Sequence, residues 1–310
     1  MSRTTKTLIL TSSRDFTTDL LMPHLTARAE VFRFNIDLWR DYRWSITADG
    51  YELSDPTGRT CREAEVGAVY ERKVVFNPIE IDTPACGNEE SWLRAEVMEI
   101  WSGIKDLAYG SGRLALIHPS PTGVWHKMRQ MRAAARYFPV LPWQMLHGAA
   151  CELPGAAVAK SNSGKPMGEG RNFFVSRVQP ERLDVSYPWF LQQAGEEAHH
   201  EVTVAYVAGR MFASELDRRA IRHTDSRAAM WEDPFLWHPC TLSPEEEESI
   251  RALMRETGFS FARLDFLRMP DGLSFLELNP NGQFAWLDLR NERGLMTAIA
   301  DEIMRVHDAR

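Results

Sequence analysis

Short apolar runs and one amphipathic segment alternate at the start of the chain. Residues 7–12 (TLILTS) have the continuous hydrophobicity of a buried strand, and residues 15–29 have the three- and four-residue spacing of a helix. Asp15 stands where a helix N-cap is expected, and residues 29–37 return to a strand pattern. This order predicts a βαβ unit.

The same kind of pattern continues to a proline-rich break near residue 120. Residues 44–55 alternate on both sides of Asp49 and Gly50, a pair that favours a tight hairpin turn. The further elements predicted before the break are a strand at 67–76, a helix at 88–109 and a strand at 113–121.

Beyond the break the pattern predicts a second mixed region of helices and strands. Ser243 with Glu246 three residues later is a capping box, which marks the start of a helix. The predicted elements are a basic helix at 122–138, strands at 155–160, 171–178 and 189–194, two strands within 200–216 joined near Ala208 and Gly209, a helix at 242–259, a hairpin at 263–283 and a helix at 290–310.

Composition narrows the class of protein. The chain has 310 residues, 44% hydrophobic and 25% charged, enough for two or three subdomains with sizeable cores. A net charge of -7 argues against nonspecific nucleic-acid binding, which requires a basic field. The four cysteines form no CxxC pair, so neither a zinc site nor a disulfide framework is expected, and a reducing cytoplasm fits best. The apolar run near the N-terminus is too short for a signal segment or a membrane span, so we expect no membrane association.

The hairpin RLDFLRMPDGLSFLELNPNGQ at 263–283 carries acids and amides on strands that otherwise look like core. Because side chains alternate along a strand, Glu277 and Asn279 project from one face, about 6 to 7 Å apart. A three-residue loop at 270–272 places Asp265 opposite Glu277, whereas a two-residue loop at 271 and 272 turns Asp265 away.

Two carboxylates this close repel each other unless a positive group lies nearby. Their hard oxygen atoms suit Mg²⁺, which keeps several waters and usually bridges substrate phosphates. An arginine within the sheet would neutralise the pair as well. The residues of the hairpin leave both interpretations open.

A magnesium site of this kind needs a phosphate donor and cations to hold it. Lys160 ends the strand at 155–160 and stands before SNSGKPMGEG at 161–170, whose small residues let backbone N–H groups approach phosphate oxygens. Lys127, on the basic helix, is a second candidate. Neither lysine lies in a GxxxxGK[ST] loop, which argues against a P-loop enzyme.

The order of these parts resembles that of the ATP-grasp ligases. The shared parts are a lysine helix, a lysine strand with a glycine-containing loop, an apolar strand with glutamines, an Asp-x-Arg, and then Asp265 with ELNPNGQ at 277–283. More narrowly, the chain resembles the ribosomal-peptide maturases that make graspetides, the microviridin-type macrocyclases. VFRFNIDLW at 31–39 and VGAVYERK at 66–73 are similar to the N-terminal region of that group.

The resemblance implies a fold and a division of the chain. The fold class is α/β (α+β), an ATP-grasp fold. An N-terminal Rossmann-like pre-ATP-grasp domain would cover residues 1–118, a small central domain residues 119–188 and a C-terminal domain residues 189–310.

The resemblance also implies ligands of one or two Mg²⁺ ions. Asp265, Glu277 and Asn279 would hold these ions between the β- and γ-phosphates of ATP, lowering the charge barrier to attack on phosphorus. Arg227, in HTDSRAAM, matches the Asp-x-Arg and would hold the γ-phosphate or an acyl phosphate through its planar fork. Asp225 would orient that loop.

The nucleotide contacts follow in the same way. Lys127 and Lys160 would contact the phosphates of ATP, and FLQQA at 190–194 would supply the backbone that reads adenine, with Gln192 and Gln193 near the base.

The implied reaction is ATP-dependent ligation on a ribosomal precursor peptide. An Asp or Glu carboxylate of the peptide attacks the γ-phosphate, and a Ser or Thr hydroxyl or a Lys amine then attacks the acyl phosphate, closing an ω-ester or ω-amide ring. The partner would be the leader and core of that peptide, and many relatives are homodimers. The alternatives are another ATP-grasp ligase, which joins amino acids or small molecules, and a non-catalytic peptide-binding relative.

Two positions depart from the pattern of the group. Where an arginine usually begins the motif before the strand EVTVAYVAG, this chain has Glu201, preceded by His199 and His200, which we expect to belong to a surface loop. The lost phosphate or substrate contact could move to Lys165 or Arg171. The second departure is Lys73, which stands where a second arginine is common and lacks its bidentate fork.

Overall fold

The computed structural model describes residues 5–72, 88–116, 125–161, 175–222, 224, 233 and 236–309, without the side chains of 88–91. Its described strands form four sheets, and helices pack against two of them. No described helix has the length and hydropathy needed to cross a membrane.

The N-terminal region confirms the predicted βαβ unit, in which β1 pairs in parallel with β2 and with β6. The backbone N–H of Thr17 donates to the Asp15 carboxylate, which confirms the N-cap. Gly50, with a φ of 126°, allows the predicted hairpin turn between β3 and β4. The elements are β1 (Lys6–Thr11), α1 (Phe16–Thr26), β2 (Glu30–Asn35), β3 (Arg43–Thr47), β4 (Gly50–Ser54), β5 (Thr60–Arg62), β6 (Val66–Glu71) and α2 (Asn88–Gly110).

The closing strand predicted at 113–121 is wrong in its described part. Leu114 makes a single bridge to Val69, and Leu116 has a φ of 52°, which interrupts an extended backbone.

A central sheet follows, with the strand order β7-β10-β8-β9 and antiparallel pairing throughout. Because β10 lies between β7 and β8, the sheet joins both sides of the boundary expected at 188/189. We propose that the boundary follows Gln193 instead. The elements are α3 (Lys127–Ala134), β7 (Trp143–Leu146), β8 (Ala157–Lys160), β9 (Ser176–Val178) and β10 (Trp189–Gln193).

The C-terminal region is built on a five-stranded antiparallel sheet, with the order β13-β12-β11-β14-β15. Positive φ angles at Ala208 and Gly209 form the predicted turn, and the Ser243–Glu246 capping box is present. The elements are β11 (His200–Val207), β12 (Arg210–Asp217), β13 (His238–Pro239), α4 (Pro244–Thr257), β14 (Phe261–Met269), β15 (Gly272–Asn279) and α5 (Leu295–Asp308).

Alternation along the strands divides the buried residues between separate cores. Leu8 and Leu10 of β1 pack with Trp101 of α2 on one face of the N-terminal sheet. Ile9 faces the other side, where it shares a core with Ile303 of α5. The C-terminal helix therefore covers the N-terminal sheet.

One face of the C-terminal sheet carries a core of its own. Met131 of α3 and Ile250 of α4 pack there with Leu264, Phe266 and other even-numbered residues of β14. The odd-numbered residues of β14 consequently project from the opposite face, where the acidic residues of the hairpin lie.

Candidate active site

The hairpin β14–β15 brings Asp265 directly opposite Glu277, as one of the two predicted registers requires. The loop is nevertheless different from both predictions. Met269 pairs with Gly272 at the turn, and the register shifts by one residue between Asp265 and Phe266. The shift leaves Leu276 as the extra residue of a β-bulge.

The bulge decides which way Glu277 points. Leu273 and Phe275, before the bulge, are buried in the core shared with α3 and α4, and so is Leu278 after it. The core-facing positions therefore change from odd to even numbers at Leu276. Glu277 consequently projects from the face opposite to Phe275, on the side of Asp265.

Four polar residues share this face. Arg263 pairs across the ladder with Asn279, as Asp265 does with Glu277, and both pairs belong to the same side of the sheet. We call Arg263, Asp265, Glu277 and Asn279 the polar face of the hairpin.

The carboxylate of Asp265 is held by two donors. Arg263 donates from Nη2 to Oδ2 at 2.8 Å and from Nε to Oδ1 at 3.2 Å. Thr203 of β11, which is directly opposite Asp265, donates from Oγ1 to Oδ1 at 2.7 Å. An arginine within the sheet, the alternative to a metal ion that the sequence left open, therefore neutralises Asp265 in this structure. Neither donor was predicted from the sequence, although the two-residue spacing of Arg263 and Asp265 indicated a shared face.

The second acid, Glu277, is held by the first residue of α3. Lys127 donates from Nζ to Oε2 of Glu277 at 2.9 Å. Gln130, one turn later, accepts from the backbone N–H of Leu278 at 3.1 Å, while its own side-chain amide donates to the carbonyl of Trp125. These bonds fix α3 against β15.

Electrostatics keep Glu277 ionised. Burial alone would raise the pKa of this carboxyl, but the charge and hydrogen bond of Lys127 and the charges of Arg263 and Lys160 lower the pKa to about 2. The site therefore contains a fixed negative charge at neutral pH, already surrounded by cations.

Lys160 lies at the end of β8 and belongs to the same electrostatic cluster. Burial lowers its pKa to about 8; the neighbouring charge of Lys127 also lowers it, whereas those of Glu277, Glu201 and Asp265 oppose the shift. Its Nζ donates to Oε1 of Gln192 at 2.6 Å.

The glutamines predicted near adenine lie on β10. Gln192 is fully buried, and its Nε2 makes no hydrogen bond within the described part of the chain. A buried donor of this kind requires an acceptor. Gln193, half-buried at the end of β10, pairs with Ala157 and donates its backbone N–H to the carbonyl of Pro142.

Asn279 closes the hairpin with a tight turn. Its side-chain Oδ1 accepts from the backbone N–H of Asn281 at 3.2 Å, and its carbonyl accepts from Gly282 at 3.1 Å. A Cβ atom at Gly282 would approach Cβ of Arg263 to 2.8 Å, so the turn requires glycine there. The conformation of this turn therefore sets where the Asn279 amide lies.

Glu201 lies on the same side of the sheet as Asp265, because its β11 neighbour Thr203 is two residues away on that face. Arg218, which directly follows β12, forms an ion pair with Glu201, with 4.0 Å between Nε and Oε1. Arg218 also donates to the carbonyls of Gly195 and Ala198. Arg218 was not among the residues predicted from the sequence.

Several predicted residues are outside the described part of the chain. These are Lys73, Lys165, Arg171, Asp225 and Arg227. His199 is exposed and His200 begins β11. Among the described residues, no group of three or more His, Cys, Asp or Glu side chains is placed to share a metal ion.

A metal at the polar face would therefore have two carboxylates and one amide as protein ligands. Asp265, Glu277 and Asn279 offer the hard oxygen atoms that Mg²⁺ prefers, and a substrate phosphate and waters would complete its shell. The residues fit such an ion. It would neutralise the negative charges of Asp265 and Glu277, which Arg263 and Lys127 now neutralise. An open polar cavity of about 700 Å³, between the β11–β12 turn, α4 and the start of α5, contains none of these residues.

Comparison with known proteins decides the fold. No family model and no curated protein match the sequence. A Chryseobacterium gregarium RiPP-associated ATP-grasp ligase in complex with ADP and a leader and core peptide superposes with a TM-score of 0.76, at 19% identity over 97% of both chains. The chain has an ATP-grasp fold.

Two further solved structures superpose on nearly the whole chain. The macrocyclase MdnC of Microcystis aeruginosa MRC, bound with precursor peptide MdnA, has a TM-score of 0.76 and 22% identity over 97% of this chain and 99% of its own. The ATP-grasp ligase PsnB, complexed with a phosphomimetic variant of minimal precursor, Mg and ADP, has a TM-score of 0.70 and 15% identity over 97% and 98%. The ATP-grasp fold implied by the resemblance is confirmed.

Proposed function

We propose that this protein is an ATP-dependent ligase that modifies a ribosomal precursor peptide. The structural neighbours named above support this proposal, because they are two ATP-grasp ligases and one macrocyclase, each bound to a precursor or to a leader and core peptide. The observation that carries the proposal is the polar face of the hairpin. It combines Asp265, Glu277 and Asn279 on one side of the sheet with Lys127 and Lys160 within electrostatic range of Glu277. This is the charge pattern needed to hold a triphosphate and a divalent cation.

In this proposal Asp265, Glu277 and Asn279 would hold Mg²⁺, which would supply charge neutralisation for the triphosphate. The Lys127–Glu277 ion pair opens when nucleotide binds. Lys127 then exchanges a carboxylate for a phosphate oxygen, so its positive charge stays paired. Before nucleotide binds, the ion pair with Glu277 holds Lys127 at the site.

Lys160, Gln192 and Gln193 complete the nucleotide contacts in the same proposal. Because burial lowers the pKa of Lys160 to about 8, a nearby phosphate would raise that pKa and keep the ammonium protonated. The unsatisfied Nε2 of Gln192 fits an acceptor on the base or a phosphate. Arg227 would hold the γ-phosphate or the acyl phosphate.

The proposed reaction balances as two substitutions. An Asp or Glu carboxylate oxygen of the peptide attacks the γ-phosphorus of ATP, and ADP leaves. A Ser or Thr hydroxyl or a Lys amine then attacks the acyl carbon, loses its proton and expels inorganic phosphate. Each ω-ester or ω-amide bond therefore removes one water from the peptide. The protein positions the groups and excludes water from the acyl phosphate.

The remaining parts of the proposal concern organisation. The N-terminal region up to residue 118 would serve as the pre-ATP-grasp domain, followed by the central and C-terminal domains. We further propose a cytoplasmic protein that can form a homodimer and binds the leader and core of its peptide, with no nucleic-acid or membrane partner.

The test is incubation of the protein with ATP, Mg²⁺ and synthetic copies of short peptides encoded beside its gene. Mass spectrometry should detect loss of one water per bond, together with release of ADP and phosphate. Glu277→Gln should suppress this loss, because it removes the charge and keeps the shape. Glu248→Gln, on the exposed surface of α4, is the matched control and should leave turnover unchanged.

Two results would overturn the peptide proposal. Release of ADP only with free amino acids or other small carboxylates would indicate another ATP-grasp ligase. A bound but unmodified peptide, without nucleotide turnover, would indicate a non-catalytic peptide-binding protein.

A further inference from the structure

Arg72 is a buried cation outside the polar face of the hairpin. It directly follows β6 and donates its backbone N–H to the carbonyl of Leu10, which extends the N-terminal sheet by one residue. Its side chain is only 1% exposed. Burial of a guanidinium is unfavourable unless its donors are satisfied, so the partners of this side chain indicate its role.

The partners of Arg72 belong to the turn that follows β15. Its Nη1 donates to the carbonyl of Gly282 at 2.9 Å and approaches Oδ1 of Asn281 at 3.3 Å. Its Nη2 donates to Oε1 of Gln283 at 2.7 Å. The guanidinium carbon also lies 4.6 Å from the ring centroid of Phe284. One side chain of the N-terminal region thus contacts the three residues of the turn, 281–283, and the residue that follows them.

Asp15 lies near the positive charge of Arg72 but does not accept a hydrogen bond from its guanidinium. Nε of Arg72 lies 3.7 Å from Oδ2 of Asp15 and makes no hydrogen bond within the described residues. The Asp15 carboxylate accepts instead from Thr11, Thr18 and the backbone N–H of Thr17. Within the described part of the chain, Nη1 and Nη2 of the guanidinium therefore donate to the turn.

The turn is held from two further directions. Thr17 donates from Oγ1 to the same Oε1 of Gln283, at 2.6 Å. Arg263, from the polar face, donates from Nη1 to the carbonyl of Gln283 at 3.2 Å. Because Asn281 and Gly282 donate their backbone N–H groups to Asn279, a force on this turn acts directly on the Asn279 amide.

We propose that Arg72 is a positioning residue, which holds the turn at 281–283 so that Asn279 stays on the polar face as a ligand for Mg²⁺ and nucleotide. The inference rests on the proposed function for the identity of that ligand. The planar fork is essential, because a lysine at position 72 keeps the charge but cannot reach Gly282 and Gln283 together. The N-terminal region thereby contributes to a site whose ligands all lie elsewhere.

The test compares Arg72→Lys and Gln283→Leu with the wild type and with Arg59→Lys, a matched control at an exposed guanidinium in the same region. Gln283 is exposed, so its replacement should leave the fold intact even if Arg72→Lys destabilises the protein. Thermal unfolding is measured for each variant. Hydrogen exchange of the Asn281 and Gly282 amides, without nucleotide, reports on the turn itself.

We expect these amides to exchange about tenfold faster in both variants than in the wild type and control. Binding of a fluorescent ATP analogue should weaken about tenfold when Mg²⁺ is present. Binding without Mg²⁺ should be unchanged, a difference that general destabilisation does not produce.

Wild-type exchange at the turn in both variants would overturn the inference. So would faster exchange with unchanged Mg²⁺-dependent binding, which would give Arg72 a purely structural role. Failure of the wild type itself to bind the nucleotide would refute the proposed function instead, and the exchange measurement would still decide whether Arg72 holds the turn.

Discussion

The ion pair between Lys127 and Glu277 should couple α3 to the hairpin by about 2 kcal/mol. The Lys127 side chain is 18% exposed and that of Glu277 33%, so the pair is intermediate between surface and interior. Exposed pairs contribute about 0 to 1 kcal/mol. Removal of one partner from a buried pair costs about 3 to 5 kcal/mol. Because Arg263 and Lys160 remain near Glu277 in a Lys127→Met variant, we expect a value between these two ranges, at about 2 kcal/mol.

A double-mutant cycle measures this coupling. Wild type, Lys127→Met, Glu277→Gln and the double variant are unfolded in urea at pH 7, without Mg²⁺ or nucleotide. Circular dichroism and tryptophan fluorescence must give coincident transitions before free energies are compared. The coupling energy should be about 2 kcal/mol, since each single variant loses the same interaction.

The Arg255–Glu248 pair on α4 provides the control, because both of its side chains are more than half exposed, at 63% and 60%. Its cycle should give less than about 0.5 kcal/mol. A Lys127–Glu277 coupling no larger than that of the control would refute the view that this pair fixes α3 against β15.

Three further outcomes are expected. Cys61 should resist alkylation in the folded protein up to about pH 10 and react at once in urea, as followed by mass spectrometry, because its side chain is fully buried and burial raises its pKa to about 12. Ser243→Ala should lower the free energy of unfolding by about 1 kcal/mol, measured in urea, and leave activity unchanged, because it removes one half of the capping box of α4. Ile303→Ala should cost about 3 kcal/mol in the same assay, because Ile303 is fully buried in the core shared by α5 and the N-terminal sheet. Reaction of Cys61 with the alkylating reagent at pH 8 in the folded protein would contradict the first expectation. The other two would be contradicted by a decrease in the free energy of unfolding of less than about 0.3 kcal/mol for Ser243→Ala, or of less than about 1 kcal/mol for Ile303→Ala.

The pairing of Asp265 with Glu277 was accessible from the sequence, whereas its structural cause was not. Both predicted registers assumed unbroken alternation in β15. The core-facing positions change from odd numbers at Phe275 to even numbers at Leu278, and this change indicates the bulge. It can be recognised only when both residues are known to face the same core. Alternation in β14 could have identified Arg263 as the neighbour of Asp265.

Contacts between distant segments could not be predicted in this way. Thr203 reaches Asp265 through a strand register that no local pattern specifies. Arg72 and Gln283 are 211 residues apart, and only the packing of α5 and the post-β15 turn against the N-terminal sheet brings them together. Local rules, in contrast, were sufficient for the Asp15 N-cap and the capping box of α4, because these involve residues within one helical turn.

The position of α5 has a consequence for how the chain is made. Domains commonly fold in order as they leave the ribosome, the N-terminal one first. Here one side of β1 and β6 is covered only in part, by Leu21 and Leu25 of α1, until residues around position 300 have been translated. Ile303 and its neighbours complete that core, and His307 bonds to Thr7. Part of the apolar surface of the nascent N-terminal sheet therefore stays accessible to solvent during synthesis, and transiently exposed surface of this kind is what chaperones protect from aggregation.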